Sequence, residues 1–305
     1  MTAKELEKRQ HWRLDHKIDH ALGVIDQFLS RIDAYVSFSG GKDSTVLLDL
    51  CRMVKPDIKA VFCNTGNEFP EIVQFVRDLK IGGANIDIIY PEYKPKRIIE
   101  DYGFPLISKD TSYKLWYIHN RPDSQTAQVG LGNKNRGYMV PLKYRYLINE
   151  PYDCSNKCCM LLKKEPFKKY TKETGRMPII GTMASESHIR AVQYIKRGRC
   201  NVFGVHKADI SISTPLAIWM EEDIKAYIKK RNLKICDLYN KGFERTGCMF
   251  CGFGVQFADD PRLAKLYELH PKWYAHCMGY TNNGVTYREA LRKLLAVNKL
   301  KLPDE

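Results

Sequence analysis

Two groups of residues in this chain are suited to chemistry. The first is the loop Ser39-Gly40-Gly41-Lys42-Asp43-Ser44. It follows the apolar run Ala34-Tyr35-Val36-Ser37-Phe38 and leads into Val46, Leu47, Leu48 and Leu50, spaced as on a helix. A strand, a glycine turn and a helix start together aim free backbone N–H groups at an anion. Gly40 and Gly41 let the backbone approach closely, the Ser39 and Ser44 hydroxyls can donate, and Lys42 adds a point charge. The common P-loop spaces its first glycine from its Gly-Lys pair, and that spacing is absent here. The plain alternative is an ordinary strand–turn–helix with Ser44 as N-cap, but two glycines, a lysine and two serines exceed what a turn requires. Lys42 is expected to face the ligand at the helix N-terminus and to matter little for folding.

The second group is the cysteines. Cys158 and Cys159 are adjacent, Cys154 precedes them, and Cys248-Met249-Phe250-Cys251 lies far downstream. A C-x-x-C by itself suits zinc, an iron–sulfur cluster or thiol redox chemistry. Gly247 and Gly252 bracket it, which predicts an exposed tight turn. Two separated pairs can supply four thiolates to one centre, as zinc and [4Fe–4S] both require. Cys51, Cys63, Cys200 and Cys236 read as small core residues.

The elements that must position these groups alternate in type. Residues 4–31 read as one amphipathic helix through Leu14, Ile18, Leu22, Ile25 and Leu29. Strands are predicted at 58–63, 86–90, 177–181 and 212–218, with helices at 70–80 and 221–231 and a helical, lysine-rich tail from Pro261. Strand–helix alternation implies an α/β fold with a mostly parallel sheet covered on both faces. Ligands of such sheets sit beyond the C-terminal strand ends, where the loop lies. The organisation expected is an N-terminal helix over 1–30, a nucleotide-binding domain over 31–255, and a helical extension over 256–305.

The 305 residues are 44% hydrophobic and 28% charged, the composition of a soluble globular protein. The first twenty residues lack a secretory apolar core and no run is apolar enough to span a bilayer, so a cytoplasmic location is expected. Ten cysteines in such a chain argue for metal or redox use over a disulfide framework. The net charge of +14 favours polyanionic partners. Residues 112–146 interleave Lys114, Arg121, Lys134, Arg136, Lys143 and Arg145 with Tyr113, Trp116, Tyr117, Tyr138, Tyr144 and Tyr146, against one acid, Asp123. Basic plus aromatic is the composition of a single-strand nucleic-acid surface; the alternative is a solvated insertion whose aromatics pack on the sheet.

Taken in order, several stretches resemble the phosphoadenosine phosphosulfate reductase family of PP-loop ATP pyrophosphatases. They are SGGKDS, Asn64-Thr65-Gly66-Asn67-Glu68-Phe69, Gly181 through Arg190, Thr214-Pro215-Leu216-Ala217-Ile218-Trp219, and Gly242 through Cys251. The resemblance implies a Rossmann-like adenine nucleotide α-hydrolase fold. It implies a nucleotide site at Ser39, Gly40, Gly41, Lys42, Asp43, Ser44, Asn64, Thr65, Gly66, Glu68, Gly181, Glu186 and Arg190. It also implies that Cys158, Cys159, Cys248 and Cys251 are similar to the ligands of [4Fe–4S] in adenylylsulfate reductases, with zinc as the alternative.

Two departures bear on the reaction. The reductases carry a C-terminal nucleophilic cysteine, whereas this chain ends KLKLPDE and its last cysteine is Cys277. The reductases often have a degraded phosphate loop, whereas SGGKDS is complete, as in relatives that cleave ATP to AMP and pyrophosphate. The expectation is therefore ATP with Mg²⁺, Lys42 and Arg190 as cationic clamps, and Asp43 and Glu68 as magnesium or positioning groups. The acceptor expected is nucleic acid, DNA or tRNA, with sulfur from a donor such as a cysteine desulfurase, in a homodimer or a larger modification complex. The rivals are a sulfonucleotide reductase using Cys277 or Cys154, and a non-catalytic subunit that binds nucleotide and cluster.

Overall fold

The computed structural model describes residues 1–133, 137–204 and 210–305 of the chain. Lys134 and Arg136 lie outside the described residues. The chain forms two compact units. One comprises residues 1–64, 70–89 and 167–246, and the other comprises 65–69, 90–166 and 247–305.

The first unit is built on a six-stranded sheet. Its strands are β1 (Ala34–Ser37), β2 (Lys59–Cys63), β3 (Ile86–Ile89), β4 (Met177–Ile180), β5 (Asn201–Val202) and β6 (Ile212–Ser213). The order is β3-β2-β1-β4-β6-β5, parallel throughout except for the antiparallel β5–β6 edge. Val36 stands opposite Ala60 on one side and Ile179 on the other, so β1 is central. Its run of apolar residues without alternation is what a strand covered on both faces needs. Helix α1 (Ala3–Gln10) is followed by α2 (Leu14–Leu29), which buries Ala21, Ile25 and Phe28, and by α3 (Lys42–Val54), which buries Val46, Leu47 and Leu50. The architecture is the Rossmann-like, mostly parallel sheet with helices that the sequence led us to expect.

Three elements differ from expectation. The single N-terminal helix is two, broken at residues 11–13. The buried Lys17 ammonium takes the Gln10 carbonyl at 2.6 Å and pairs with Asp223, which draws that carbonyl off the helical ladder. The strand expected over 212–218 is only Ile212–Ser213. Thr214 donates N–H and hydroxyl to the Cys200 carbonyl, Pro215 has no N–H to give, and Ala217 N–H closes a turn onto Thr214. The tail is helical at Arg262–Leu269, Pro271–Met278 and Tyr287–Val297, but Thr281–Asn282 and Val285–Thr286 form a hairpin between them.

The second unit joins Leu106–Ile107 to Gly252–Phe253 in a short parallel pair. Gly103, at φ +91°, lets the chain turn into it: Phe104 N–H donates to Asp153 O at 2.8 Å, and a Cβ on Gly103 would stand 2.1 Å from that oxygen. Ile107 adopts φ +64°, unusual for a β-branched residue, while its carbonyl accepts from Gly254 N–H and Gln256 Nε2. The described residues of segment 112–146 are largely helical and pack Leu115, Ile118, Ala127, Val140 and Tyr144 inward. Tyr117 contacts the rings of Tyr113 and Trp116, and Lys157 Nζ lies 5.0 Å from the Trp116 ring centroid.

Candidate functional site

In the first unit the phosphate loop leaves β1 and enters α3. Gly40 has φ +73°, and a Cβ there would sit 2.9 Å from Ile72 Cγ2, so both backbone and packing demand glycine. The helix starts at Lys42 with Gly41 as its N-cap, so Ser44 sits within the first turn and is not the cap. Ser39 and Ser44 hydroxyls lie 3.1 Å apart, and Ser44 Oγ donates to Gly41 O at 2.8 Å, which holds the loop in shape.

Lys42 is 5% exposed, which corrects the expectation of a solvent-facing charge. Its ammonium donates to the Glu244 carbonyl at 2.7 Å, pairs with Glu221 at 3.1 Å and lies 5.3 Å from the Tyr239 ring centroid. Its backbone N–H donates to Tyr239 Oη at 2.8 Å. Asp43 is next to it, its carboxyl pushed upward by burial and drawn back by Lys42, Arg245 and Arg190. Burial, then the charge of Arg245, lowers the Arg190 pKa, and Arg190 pairs with Glu186. Glu186 accepts the Met183 N–H at 2.8 Å, and a Cβ on Gly181 would meet Asp43 O at 3.3 Å. The loop residues, Gly181, Glu186 and Arg190 therefore come together in this unit. Arg245, Tyr239 and Glu221 join them and were not assigned from the sequence. Arg245 lies inside the glycine-rich stretch before the C-x-x-C and carried a legible signal; the other two carried none.

Asn64 continues the first unit's sheet, its N–H donating to Ile89 O. Thr65, Gly66 and Glu68 belong to the second unit. There both Glu68 carboxylate oxygens accept the Thr65 hydroxyl at 2.8 Å, and one also takes the Thr65 N–H at 2.9 Å. Glu68 forms an antiparallel bridge with Cys248, and Met249 N–H donates to Asn67 O. This turn thus braces the C-x-x-C.

The four expected cysteine ligands all lie in the second unit and influence one another. Cys158 is buried and donates to Cys159, which raises the pKa of the first thiol and pulls the second down to about 6, helped by Lys109, Lys163 and Lys164. Burial pushes Cys248 up to about 11 against the pull of Lys163. Cys251 N–H donates to Cys248 O at 3.2 Å, the expected tight turn, though both thiols are half-buried. Arg262, pinned by Asp260 at 2.6 Å, hydrogen-bonds Cys251. Among the described residues no three His, Cys, Asp or Glu side chains are spaced to hold a single metal ion. Four soft thiols with cations beside them have the donor chemistry that both a [4Fe–4S] cluster and a tetrathiolate zinc site use. Cys154 and Cys277 are 2% and 1% exposed, and burial raises both thiol pKa values.

Comparison with known proteins settles the family. The profile of the phosphoadenosine phosphosulfate reductase domain matches residues 33–111 and 138–252, more than half of the chain. The chain belongs to that family. Within it, the chain is 24% identical over 234 residues to an adenosine 5'-phosphosulfate reductase of Staphylococcus epidermidis, covering 76% of each. It is 27% identical to an uncharacterised protein of Methanocaldococcus jannaschii, covering 78% of this chain and 46% of that one; it spans less than half the length of this relative. Among solved structures, a phosphoadenylyl-sulfate reductase of Candida auris aligns with TM-score 0.47 and 17% identity, over 77% of this chain and 93% of that one. No helix among the described residues is long and apolar enough to cross a membrane.

Proposed function

We propose that this family member is a PP-loop ATP pyrophosphatase that adenylates an acceptor for sulfur insertion, with nucleic acid as the acceptor. The observation that carries the reading is the complete loop with Lys42, Arg190 and Arg245 all bearing on Asp43. Such a site matches a polyphosphate far better than a nucleotide lacking β- and γ-phosphates. An acceptor oxygen attacks the α-phosphorus, the bond to the α–β bridging oxygen breaks, and pyrophosphate leaves with the electron pair. Loop N–H groups and Lys42 stabilise the charge gathering on the leaving group, and the arginines hold the α-phosphate in line. To do so Lys42 exchanges Glu221 and the Glu244 carbonyl for phosphate, and Tyr239 Oη gives up the Lys42 N–H. Asp43 is the residue of this unit that would hold magnesium, which when bound would offset the remaining phosphate charge.

Cys158, Cys159, Cys248 and Cys251 are the residues that would hold an iron–sulfur cluster, which when bound supplies sulfur or electrons to the adenylated acceptor. A persulfide donor of the cysteine desulfurase kind is the partner this chemistry asks for. A second reading, sulfonucleotide reduction with release of sulfite, is favoured by the names of the reductase relatives. The burial of Cys154 and Cys277 weighs against it, since that reaction needs a reachable thiolate. Pyrophosphate and AMP from ATP, measured beside sulfite from adenylylsulfate on anaerobically purified protein, separates the two. Sulfite without pyrophosphate would end the first reading.

A further inference from the structure

We propose that the first unit carries a track for single-stranded nucleic acid, formed by two adjoining cavities that begin at Arg190. The inference rests on the adenylation reading, whose acceptor the track would guide. The smaller cavity, about 190 Å³, is walled by Thr182, Met183, Arg190, Gln193, Tyr194 and Arg197 among others. The larger, about 360 Å³, is walled by Arg9, His20, Arg31, Tyr194, Arg199 and Phe203 among others. Tyr194 is common to both, so the two are neighbours along the helix His188–Arg197, which runs about 15 Å.

The walls are one-sided in charge. Arg190 and Arg197 line the first cavity, Arg9, Arg31 and Arg199 line the second, and neither has an Asp or Glu among its described lining residues. Arg190 shares its charge with Glu186, but Arg31, Arg197 and Arg199 are exposed, and their side chains form no ion pair among the described residues. In the wall of the larger cavity the Arg31 guanidinium lies over the Phe203 ring, 5.2 Å from its centroid.

A small anion is held by one tight cluster of donors. Cations spread over two adjoining cavities, with the Phe203 and Tyr194 rings in their walls, suit a chain of phosphates with bases between. The net charge of +14 draws polyanions to the surface, and this row of arginines leads toward Asp43 and the phosphate loop. Segment 112–146 is the weaker candidate for the same role. Lys114 is buried against Asp110, Arg145 donates to Leu131 O at 2.9 Å, and Tyr113, Trp116 and Tyr117 pack on one another.

The test is fluorescence anisotropy with a labelled oligothymidylate or oligouridylate of about twelve nucleotides, within the range of single-strand sites. No ATP is present. Changing Arg31, Arg197 and Arg199 together to Gln is expected to weaken binding more than tenfold at low salt. It should also flatten the slope of log affinity against log salt by about 2, at roughly 0.7 per phosphate contact. Lysine at the same three positions should restore the slope. If the triple variant melts early, the single Arg199→Glu change, at an exposed position, replaces it and should weaken binding on its own. Affinity and slope indifferent to these changes would overturn the track, as would inorganic pyrophosphate displacing the oligonucleotide completely at equimolar phosphate. Arginine-dependent binding in a protein that releases no pyrophosphate supports the track and removes the adenylation reading. Pyrophosphate release with binding indifferent to the arginines overturns the track alone.

Discussion

Lys42 carries two roles that compete. Its ammonium is buried against Glu221 and the Glu244 carbonyl, and in the proposed reaction it is also the group that meets a β-phosphate. Lys42→Ala is therefore expected to lower pyrophosphate release by about 10²-fold or more, the usual effect of removing one charge-stabilising donor. It should also cost about 1 kcal/mol of stability, because the partly exposed Glu221 carboxylate and the Glu244 carbonyl lose their partner. Urea melts read the second effect and pyrophosphate assays the first; turnover as in the parent would end the ATP assignment. The pattern around SGGKDS made the loop legible from sequence. The partners of Lys42 come from residues 221 and 244, and no local pattern announces contacts made across so long a stretch of chain.

A second residue argument concerns His119. Its Nδ1 lies 2.9 Å from Asp153 Oδ1 and its Nε2 lies 2.9 Å from Ile148 O, so both ring nitrogens face acceptors and both must donate. The hydrogen bond it donates to Asp153 is the main cause that raises its pKa above the ordinary 6.5, against the opposing effect of burial. A raised folded pKa stabilises the fold fully below about pH 6.5, and the contribution is lost as pH climbs through the folded value. Urea midpoints compared on either side of that window should show the parent losing stability at higher pH and His119→Gln losing less. Equal pH dependence in both would show that the imidazolium is not what Asp153 holds.

At the scale of elements, Gly103 ends the helix Pro95–Tyr102 and starts the turn that leads into Leu106–Ile107. Gly83, after α4 (Pro70–Ile81), has the same φ of +91° but nothing near an added Cβ. The pair separates strain from collision. Gly83→Ala is expected to cost about 1–2 kcal/mol, the backbone penalty alone. Gly103→Ala adds a contact of 2.1 Å with Asp153 O and should cost well beyond that, or prevent folding. Equal costs in thermal melts would refute the steric account. Elements fixed by local signals were legible: Glu221–Arg231, with acids first and bases last, has the predicted bounds. Those fixed by distant partners were not. The break after Gln10 depends on Lys17 and Asp223, and the loss of strand after Ser213 depends on the Cys200 carbonyl. The hairpin at 281–286 did have a local signal, Asn283-Gly284 at positive φ, which the lysine-rich helical pattern around it obscured.

For the whole molecule, the division into two units separates the two chemistries proposed. The phosphate loop, Arg190 and Arg245 lie in one, and the four thiols with Lys163 and Arg262 lie in the other. Each ligand should therefore leave its own footprint in hydrogen exchange. ATP binds the native state and stabilises it by mass action, by about 2.7 kcal/mol at a hundred times its dissociation constant. Protection is expected at residues 39–44, 181–190 and 239–246. Anaerobically purified protein should be brown and hold iron, and Cys159→Ser or Cys248→Ser should remove both colour and iron, because a hydroxyl is a poor ligand for soft iron–sulfur sites. In those variants the turn at 65–69, the helical turns at 157–164 and the strand at 252–253 should exchange faster, since ligation supplies part of their folding energy. Stoichiometric zinc without iron would replace the cluster with a tetrathiolate ion site. Protein that holds no metal, with unchanged exchange in both serine variants, would leave the four thiols as core residues and nothing more.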